Sequence, residues 1–358
     1  GEVDEMAGFK TKTAPLNHYN AVLLREIFQF TAPKTPGNKG ASVGLGDCLE
    51  TTAPAYIEAV KDCDVLPVFA QPSLQKLNLS GKTFKSILDE VSWSVFQEGY
   101  QNGFAADANN LKELSDIERV LNLGYSMVTL DCADYINNPE QMSTAEIESN
   151  YQEIPDYLRE GLESQYLNKT FILSSGYQLE YNQHKLKKII LTYYKILDFS
   201  KEVQHLLNKL DYNPSLEISI TKSSVVTTPE AHFFIANELK RKNIKINSLA
   251  PHFVGEFQNG IDYIGYPDKF EQQFKVHADI ADRFGHKLSI HSASYKFSIL
   301  ELIGHHTQNR VHVKIEGTSC LEAVRIVAEN EPALFRDIYT HALEKFETAK
   351  DHYYVNSQ

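Results

Sequence analysis

Leu249-Ala-Pro-His-Phe-Val-Gly-Glu-Phe-Gln-Asn-Gly-Ile-Asp-Tyr-Ile-Gly265 follows a strand-like run, Ile244–Ser248, and turns it into a polar loop. The same change recurs in Lys287-Leu-Ser-Ile-His-Ser-Ala-Ser-Tyr-Lys-Phe297. In both places a strand of buried type runs straight into His, Lys, Glu or Gln. Polar groups gathered at strand ends point to a site carried on a rigid scaffold.

Working outward, eight short apolar runs are candidate strands: Ala41–Leu45, Val65–Ala70, Gly103–Ala106, Ser126–Leu130, Leu216–Ile220, Ile244–Leu249, Lys287–Ile290 and Val311–Ile315. Several are continuous rather than alternating, as expected of parallel strands covered on both faces. Helical stretches separate most of them, over Pro54–Lys61, Phe84–Gln101, Leu111–Leu123, Glu230–Lys242, Lys269–Phe284 and Cys320–Glu329. Thr228-Pro229-Glu230 reads as a cap, a proline at the first helical position and an acid in the first turn. Asp268 with Glu271, and Ser319 with Glu322, have capping-box spacing.

Alternating strand and helix predicts an α/β fold with a parallel sheet, and eight strands predict closure into a (β/α)8 TIM-type barrel. An open doubly wound sheet is the alternative. Residues 1–40, polar and ending in Pro33, Pro36, Gly37 and Gly40, read as an N-terminal arm with one helix near Ala21–Phe30. The barrel domain is then 41–358, with an insertion of about 133–214 after the fourth strand. Thr170–Ser174 and Tyr177–Tyr181 in it read as a β-hairpin, and His184–Leu210 as a long helix.

With 358 residues, 42% hydrophobic and 23% charged, the chain has apolar material for a full core. A net charge of −12, with no Lys/Arg cluster, argues against nucleic acid as a partner. No apolar run approaches a membrane span. Cys48, Cys63, Cys132 and Cys320 are far apart and make neither a zinc motif nor a disulfide framework, which fits a cytoplasmic location. There is no P-loop and no dinucleotide fingerprint, and Gly44-Leu-Gly46 alone is too short to count, so no nucleotide cofactor is expected.

Read at the C-terminal strand ends, the chain offers Asp47, Gln71, Asp107, Asp131, Glu217 with Ser219 and Thr221, His252 to Gln258, His291 and Lys314. A lone histidine after a strand is more often a hydrogen-bonded structural group than a ligand. Glu217 inside Leu216-Glu-Ile-Ser-Ile220 must be paired or functional if buried. Lys314 in Val311-His-Val-Lys-Ile315 is either a buried anion anchor or the partner of Glu217.

Several segments together resemble the tagaturonate epimerase family (tagaturonate/fructuronate epimerases). They are Gly44-Leu-Gly-Asp47, Trp93–Tyr100, Gly103–Asp107, Leu249–Gly265, Leu288–Ser292, His312–Lys314, Gly317–Ser319 and Leu321–Arg325. The chain starts later than is usual for that family. The resemblance implies a metal-dependent interconversion of two keto-uronates that differ one carbon beyond the α-position of the ketone. Retro-aldol cleavage and re-addition to the other face is the route such a pair invites. It places Gln258 and His291 at metal positions and Glu217 at an acid/base position.

Departures fall on polar positions. Asn109-Asn110 stands where Asp-His is expected, so Asn109 replaces a catalytic base and Asn110 an imidazole ligand. Asparagine still offers a metal an oxygen but takes no proton near neutral pH. Lys222-Ser223 replaces Asp-Glu, Tyr295 an aspartate, Cys48 an arginine and Tyr354 a histidine. The expected site is therefore Glu217 and Asn109 for catalysis, Gln71, His252, Lys296 and Lys314 for substrate, and Gln258, His291 and Asn110 for metal. A weakly held divalent ion (zinc, manganese or nickel) and little turnover of tagaturonate or fructuronate are expected. The function is an epimerase or retro-aldol-type isomerase with altered substrate, or a lapsed relative that binds a sugar or sugar acid; the oligomeric state is left open.

Overall fold

A computed structural model describes residues 2–6, 8–46, 52–223 and 225–350, and in it eight parallel strands close into a barrel. They are β1 (Ser42–Gly46), β2 (Leu66–Phe69), β3 (Ala105–Leu111), β4 (Met127–Asp131), β5 (Ser215–Ser219), β6 (Ser248–Ala250), β7 (Lys287–Ile290) and β8 (Val311–Glu316). β8 pairs with β1 to shut the ring. The eight apolar runs of the sequence are these strands, so the predicted (β/α)8 barrel is what the chain forms.

Two strands differ from expectation by more than a residue or two. β3 does not stop at Ala106 but continues through Asp-Ala-Asn-Asn to Leu111, with a register shift between Ala108 and Leu111. Asp and Asn are poor strand formers; here Asp107 and Asn109 are held by partners inside the barrel. β6 is only Ser248–Ala250, because the Ile244 N–H bonds to Leu239 O and closes the preceding helix instead.

Helices Thr52–Val60, Phe84–Gln97, Leu114–Leu123, Gln183–Leu210, Pro229–Arg241, Pro267–Phe284, Phe297–Thr307 and Thr318–Asn330 follow the strands in turn. Thr228 caps its helix as predicted, accepting from the Ala231 N–H. Asp268 and Ser319 do not cap theirs. Pro267 starts one helix after Tyr266, and Gly317 precedes the other, with no side-chain cap at either. The Ser319 hydroxyl meets Tyr56 instead.

The arm begins with a hairpin, Glu2–Met6 with Phe9–Thr13, and its helix is His18–Ile27. Arg25 docks that helix on Phe84–Gln97, reaching Asp89 at 3.1 Å and Ser92 at 3.0 Å. The insertion holds helices Thr144–Gln152 and Asp156–Tyr166, then the expected hairpin, Lys169–Ile172 with Gln178–Tyr181. Its long helix Gln183–Leu210 lies against Leu114–Leu123 and Pro229–Arg241, so it takes the outer-ring place between β4 and β5. Among the described residues no helix is long and apolar enough to cross a membrane.

The strands are less uniform than their sequences read. Outward residues such as Val128, Leu130, Leu216, Ile218, Leu288 and Ile290 are buried beneath the helices. The alternate, inward positions are polar: Asp107 and Asn109, Thr129 and Asp131, Ser215, Glu217 and Ser219, Lys287, Ser289 and His291, His312, Lys314 and Glu316. A barrel of this kind is usually filled with bulky branched side chains. Here a small separate cluster of Val68, Ala105 and Met127 is apolar, and the centre is ionic.

Candidate active site

Lys314 sits at that centre. It is 1% exposed, and from β8 it reaches across to three strands that are not its neighbours. Its ammonium donates to Asp107 Oδ2 at 2.8 Å, Asn109 Oδ1 at 3.1 Å and Thr129 Oγ1 at 2.7 Å, and lies 2.8 Å from Glu217 Oε1. Burial would lower the Lys314 pKa, but Asp107 and Glu217 outweigh it and hold the amine charged.

The two carboxyls respond in opposite directions. Burial pushes the Asp107 carboxyl above its ordinary value despite Lys314, and the Glu217 charge adds to the push. Burial acts the same way on Glu217, but Lys314 and the His291 hydrogen bond win and hold it well below the usual carboxylate range. Two carboxyls pushed apart in this way can hold different protonation states at one pH.

Glu217 has no exposed surface on its side chain, and His291 above it keeps 13%. His291 Nε2 lies 2.7 Å from Glu217 Oε1, and Ser248 Oγ donates to Glu217 Oε2 at 2.7 Å. The other imidazole nitrogen, Nδ1, is 3.5 Å from Thr221 Oγ1. A carboxylate on one nitrogen fixes the ring and sets the other nitrogen free to act.

Asn109 donates to Glu316 Oε1 at 3.0 Å while it accepts from Lys314. Lys76 takes the other Glu316 oxygen at 2.5 Å. Asp131 accepts from Lys222 at 3.2 Å. Each inward carboxylate is thus matched to a lysine. Asn110 has φ of 60°, a left-handed conformation that asparagine tolerates, and its Oδ1 is buried without a protein partner among the described residues. Gln71 is fully buried and both of its amide atoms lack such a partner. Its side chain occupies the space above Gly44 and Gly46: a Cβ on Gly44 would fall 1.5 Å from Gln71 Oε1. The glycines of Gly44-Leu-Gly46 clear room for an amide rather than for a phosphate.

Four of the nine predicted residues, Asn109, Glu217, His291 and Lys314, form one bonded network, with Asn110 adjoining it. Gln71 lies over Gly44 and Gly46 without a side-chain bond among the described residues, and Gln258, Lys296 and His252 are held elsewhere. Gln258 bonds within its own loop, Nε2 to Glu256 Oε2 at 2.7 Å. Lys296 gives its three protons to the carbonyls of Gln258, Ile261 and Ser294, at 2.7, 2.5 and 3.0 Å. It pins the Leu249–Gly265 loop and has no donor left for a substrate, and Lys314 is saturated in the same way. His252 bonds through its backbone to Thr227, and burial lowers its imidazole pKa. Asp47, Cys48 and Tyr354 lie outside the described residues.

A divalent ion is poorly served by this set. Among the described residues no three His, Cys, Asp or Glu side chains converge as metal ligands. The carboxylates are matched to lysines, His291 gives one nitrogen to Glu217, and Asn110 and Gln258 offer only neutral amides, which bind hard ions weakly. The residues present do not fit a tightly held metal.

Thr129, Ser248, Lys76 and Glu316 belong to the network and were not among the predicted site residues; Asp107 also belongs to it and was read at a strand end without a role. The signal for Asp107, Thr129 and Glu316 was the period-two spacing of polar residues, 107/109, 129/131 and 312/314/316, within strands that otherwise read as apolar; Ser248 and Lys76 carried no such signal.

Comparison with known proteins agrees with this architecture. The family model for tagaturonate epimerase matches residues 2–358. The tagaturonate/fructuronate epimerase of Thermotoga maritima is 35% identical over 342 residues, covering 95% of this chain and 70% of that protein. The native crystal structure of fructuronate-tagaturonate epimerase from Cohnella laeviribosi superposes with a TM-score of 0.95 at 40% identity, over 100% of this chain and 73% of that one. A glycerol complex of the Cohnella laeviribosi enzyme superposes equally well, with a TM-score of 0.95. With a family model matched from residue 2 to residue 358 and the barrel in common, the chain belongs to the tagaturonate epimerase family.

Proposed function

We propose that the protein epimerises a keto-uronate, with a substrate altered from tagaturonate and fructuronate. Family membership supports the reaction class. The observation that carries the site is the Glu217–His291 pair seated on Lys314.

Inverting a carbon beyond the α-position by cleavage and re-addition begins with loss of that carbon's hydroxyl proton. His291 is the partly exposed member of the pair, and its Nδ1 faces away from Glu217. It takes that proton and returns it after the aldehyde has turned. Glu217, wholly buried, is a positioning residue: it fixes the ring and stabilises the imidazolium once formed. Lys314 supplies a fixed positive field beneath the enediolate. Gln71 through both amide atoms and Asn110 through Oδ1, which lack a partner among the described residues, are suited to hold substrate hydroxyls. A divalent ion would be held weakly and no step is assigned to it. The altered substrate is supported by Asn109, which is tied between Lys314 and Glu316 and cannot act as a base, and by Lys222, which neutralises Asp131. The separate cysteines, with Cys63 and Cys132 as free thiols, support a cytoplasmic setting.

Purified protein incubated with tagaturonate, fructuronate and other keto-uronates, followed by NMR with and without zinc, manganese or nickel, tests this. Interconversion of at least one keto-uronate, slow for the first two and lost in His291→Ala, is expected. The loss of a base at Asn109 favours a second reading, a lapsed relative that binds a sugar acid. Saturable binding without any interconversion would establish that reading and end the first.

A further inference from the structure

A keto-uronate carries a carboxylate, and the lysines expected to meet it are engaged. Lys296 and Lys314 give their protons to protein groups, and Lys76, whose side chain is 16% exposed, is held by Glu316. Two other lysines near the strand ends are more open. Lys112, directly after β3, pairs at 2.5 Å with Asp134, whose side chain is 65% exposed, so that pair stands in solvent at the rim. Lys222, in the turn after β5, pairs with Asp131 at 3.2 Å; here the carboxylate is 4% exposed and the lysine side chain 50%.

Asp131 is one of the inward residues of β4. It lies two residues beyond Thr129, which bonds Lys314, and so about 7 Å nearer the mouth. Its Oδ1 accepts from the Ala133 N–H at 3.1 Å and its Oδ2 from Lys222. Asp131 thus holds the ammonium over the ionic centre through one of three protons, and among the described residues no other bond of that ammonium is made. A line of contacts leads from this pair to His291. Ser219 is the register partner of Asp131, Ser219 Oγ lies 3.2 Å from Thr221 Oγ1, and Thr221 Oγ1 lies 3.5 Å from His291 Nδ1. The ammonium and the imidazole border one stretch of the mouth.

We propose that Lys222 binds the substrate carboxylate, with the carbon chain lying over Thr221 towards His291. The subsite rests on the keto-uronate reading and deepens it. Lys222 and Lys112 balance Asp131 and Asp134, so an entering carboxylate meets no net negative charge there. The compact ammonium can serve the buried Asp131 and the substrate at once.

In a six-carbon keto-uronate the carboxylate lies two carbons beyond the one that is inverted. When the bond from that carbon to the α-carbon breaks, its electron pair stays on the ketone half as the enediolate. The hydroxyl proton leaves as in the reaction proposed above, and the other half becomes an aldehyde that still carries the carboxylate. That half must turn its other face to the enediolate without being lost. A carboxylate held by Lys222 retains it while the carbonyl end rotates, the bond re-forms and the proton returns.

Calorimetric titration of the folded protein with tagaturonate, fructuronate and other keto-uronates tests the subsite without turnover. For the one bound best, Lys222→Met should weaken binding about ten- to hundredfold. Lys222→Arg should restore most of it, and Lys112→Met should leave it nearly unchanged. An unchanged affinity in folded Lys222→Met, or an equal loss in Lys112→Met, overturns the subsite. During turnover Lys222→Met should raise KM and release the carboxylate-bearing aldehyde into solution, detected by NMR. Epimerisation by that variant with neither effect also overturns it. Absence of binding to the unsubstituted protein overturns the keto-uronate reading itself, whereas binding indifferent to residue 222 overturns the subsite alone.

Discussion

Lys314 on β8 and Glu217 on β5, strands that do not touch, meet at 2.8 Å on the axis of the barrel. That contact, repeated by Lys314 to Asp107 at 2.8 Å, replaces an apolar barrel centre with a buried ionic one. Its stability and its chemistry are therefore coupled.

Lys314→Met should leave Asp107 and Glu217 buried without their cation. Breaking a buried pair from one side costs about 3–5 kcal/mol, and denaturant unfolding should show a loss of that size. Pairing it with Asp107→Asn and Glu217→Gln should recover much of it, since no uncompensated charge then remains. A loss below about 1 kcal/mol in the single variant would mean that the ion pair is exposed to water.

Gly44→Ala places a methyl where Gln71 Oε1 now sits. The Gln71 amide must leave its place, at a cost of about 1–3 kcal/mol. Removing the obstacle with Gln71→Ala should make Gly44→Ala nearly neutral. Additive effects in this double-mutant cycle would show that the glycine serves something other than Gln71.

Tyr295 carries φ of 63°, a left-handed backbone that a bulky residue rarely adopts. Tyr295→Asn should raise stability by about 1 kcal/mol, read as an upward shift of Tm. A fall in Tm would show that the Tyr295 ring packs strongly enough to offset the strain.

Acid should destabilise the fold before ordinary carboxylates titrate. His232 bonds to His277 at 3.0 Å and to His286 at 2.9 Å, all three buried. Burial lowers His277 to about 4 and His286 to about 3, and burial with the neighbouring imidazoles puts His232 well below its ordinary value. An unfolded imidazole titrates near ~6.5. Between there and about 4 the unfolded chain binds protons that the folded chain refuses. Stability is therefore full above that window and falls with pH inside it, by up to ~1.4 kcal/mol per pH unit for each imidazole. Denaturation midpoints that stay level from pH 7 to pH 5 would contradict this.

The barrel was legible because its outward strand faces are apolar and its connections carry cap and proline signals, as at Thr228-Pro229. The pairing of Glu217 with Lys314 was legible as one of two alternatives. What could not be read was distance across the barrel: Asp107 and Lys314 are 207 residues apart, and only closure of the ring makes them neighbours. The bonds of Lys296 were hidden for a related reason. A lysine after a strand reads as a substrate contact, whereas three loop carbonyls claim its protons.

The most direct measurement is nitrogen-15 NMR of histidine-labelled protein titrated with the keto-uronate it binds best. A substrate seated on the Glu217-held ring should shift the His291 resonances and leave the buried His232, His277 and His286 unchanged. A saturated complex in which His291 does not respond would contradict a working site at these strand ends.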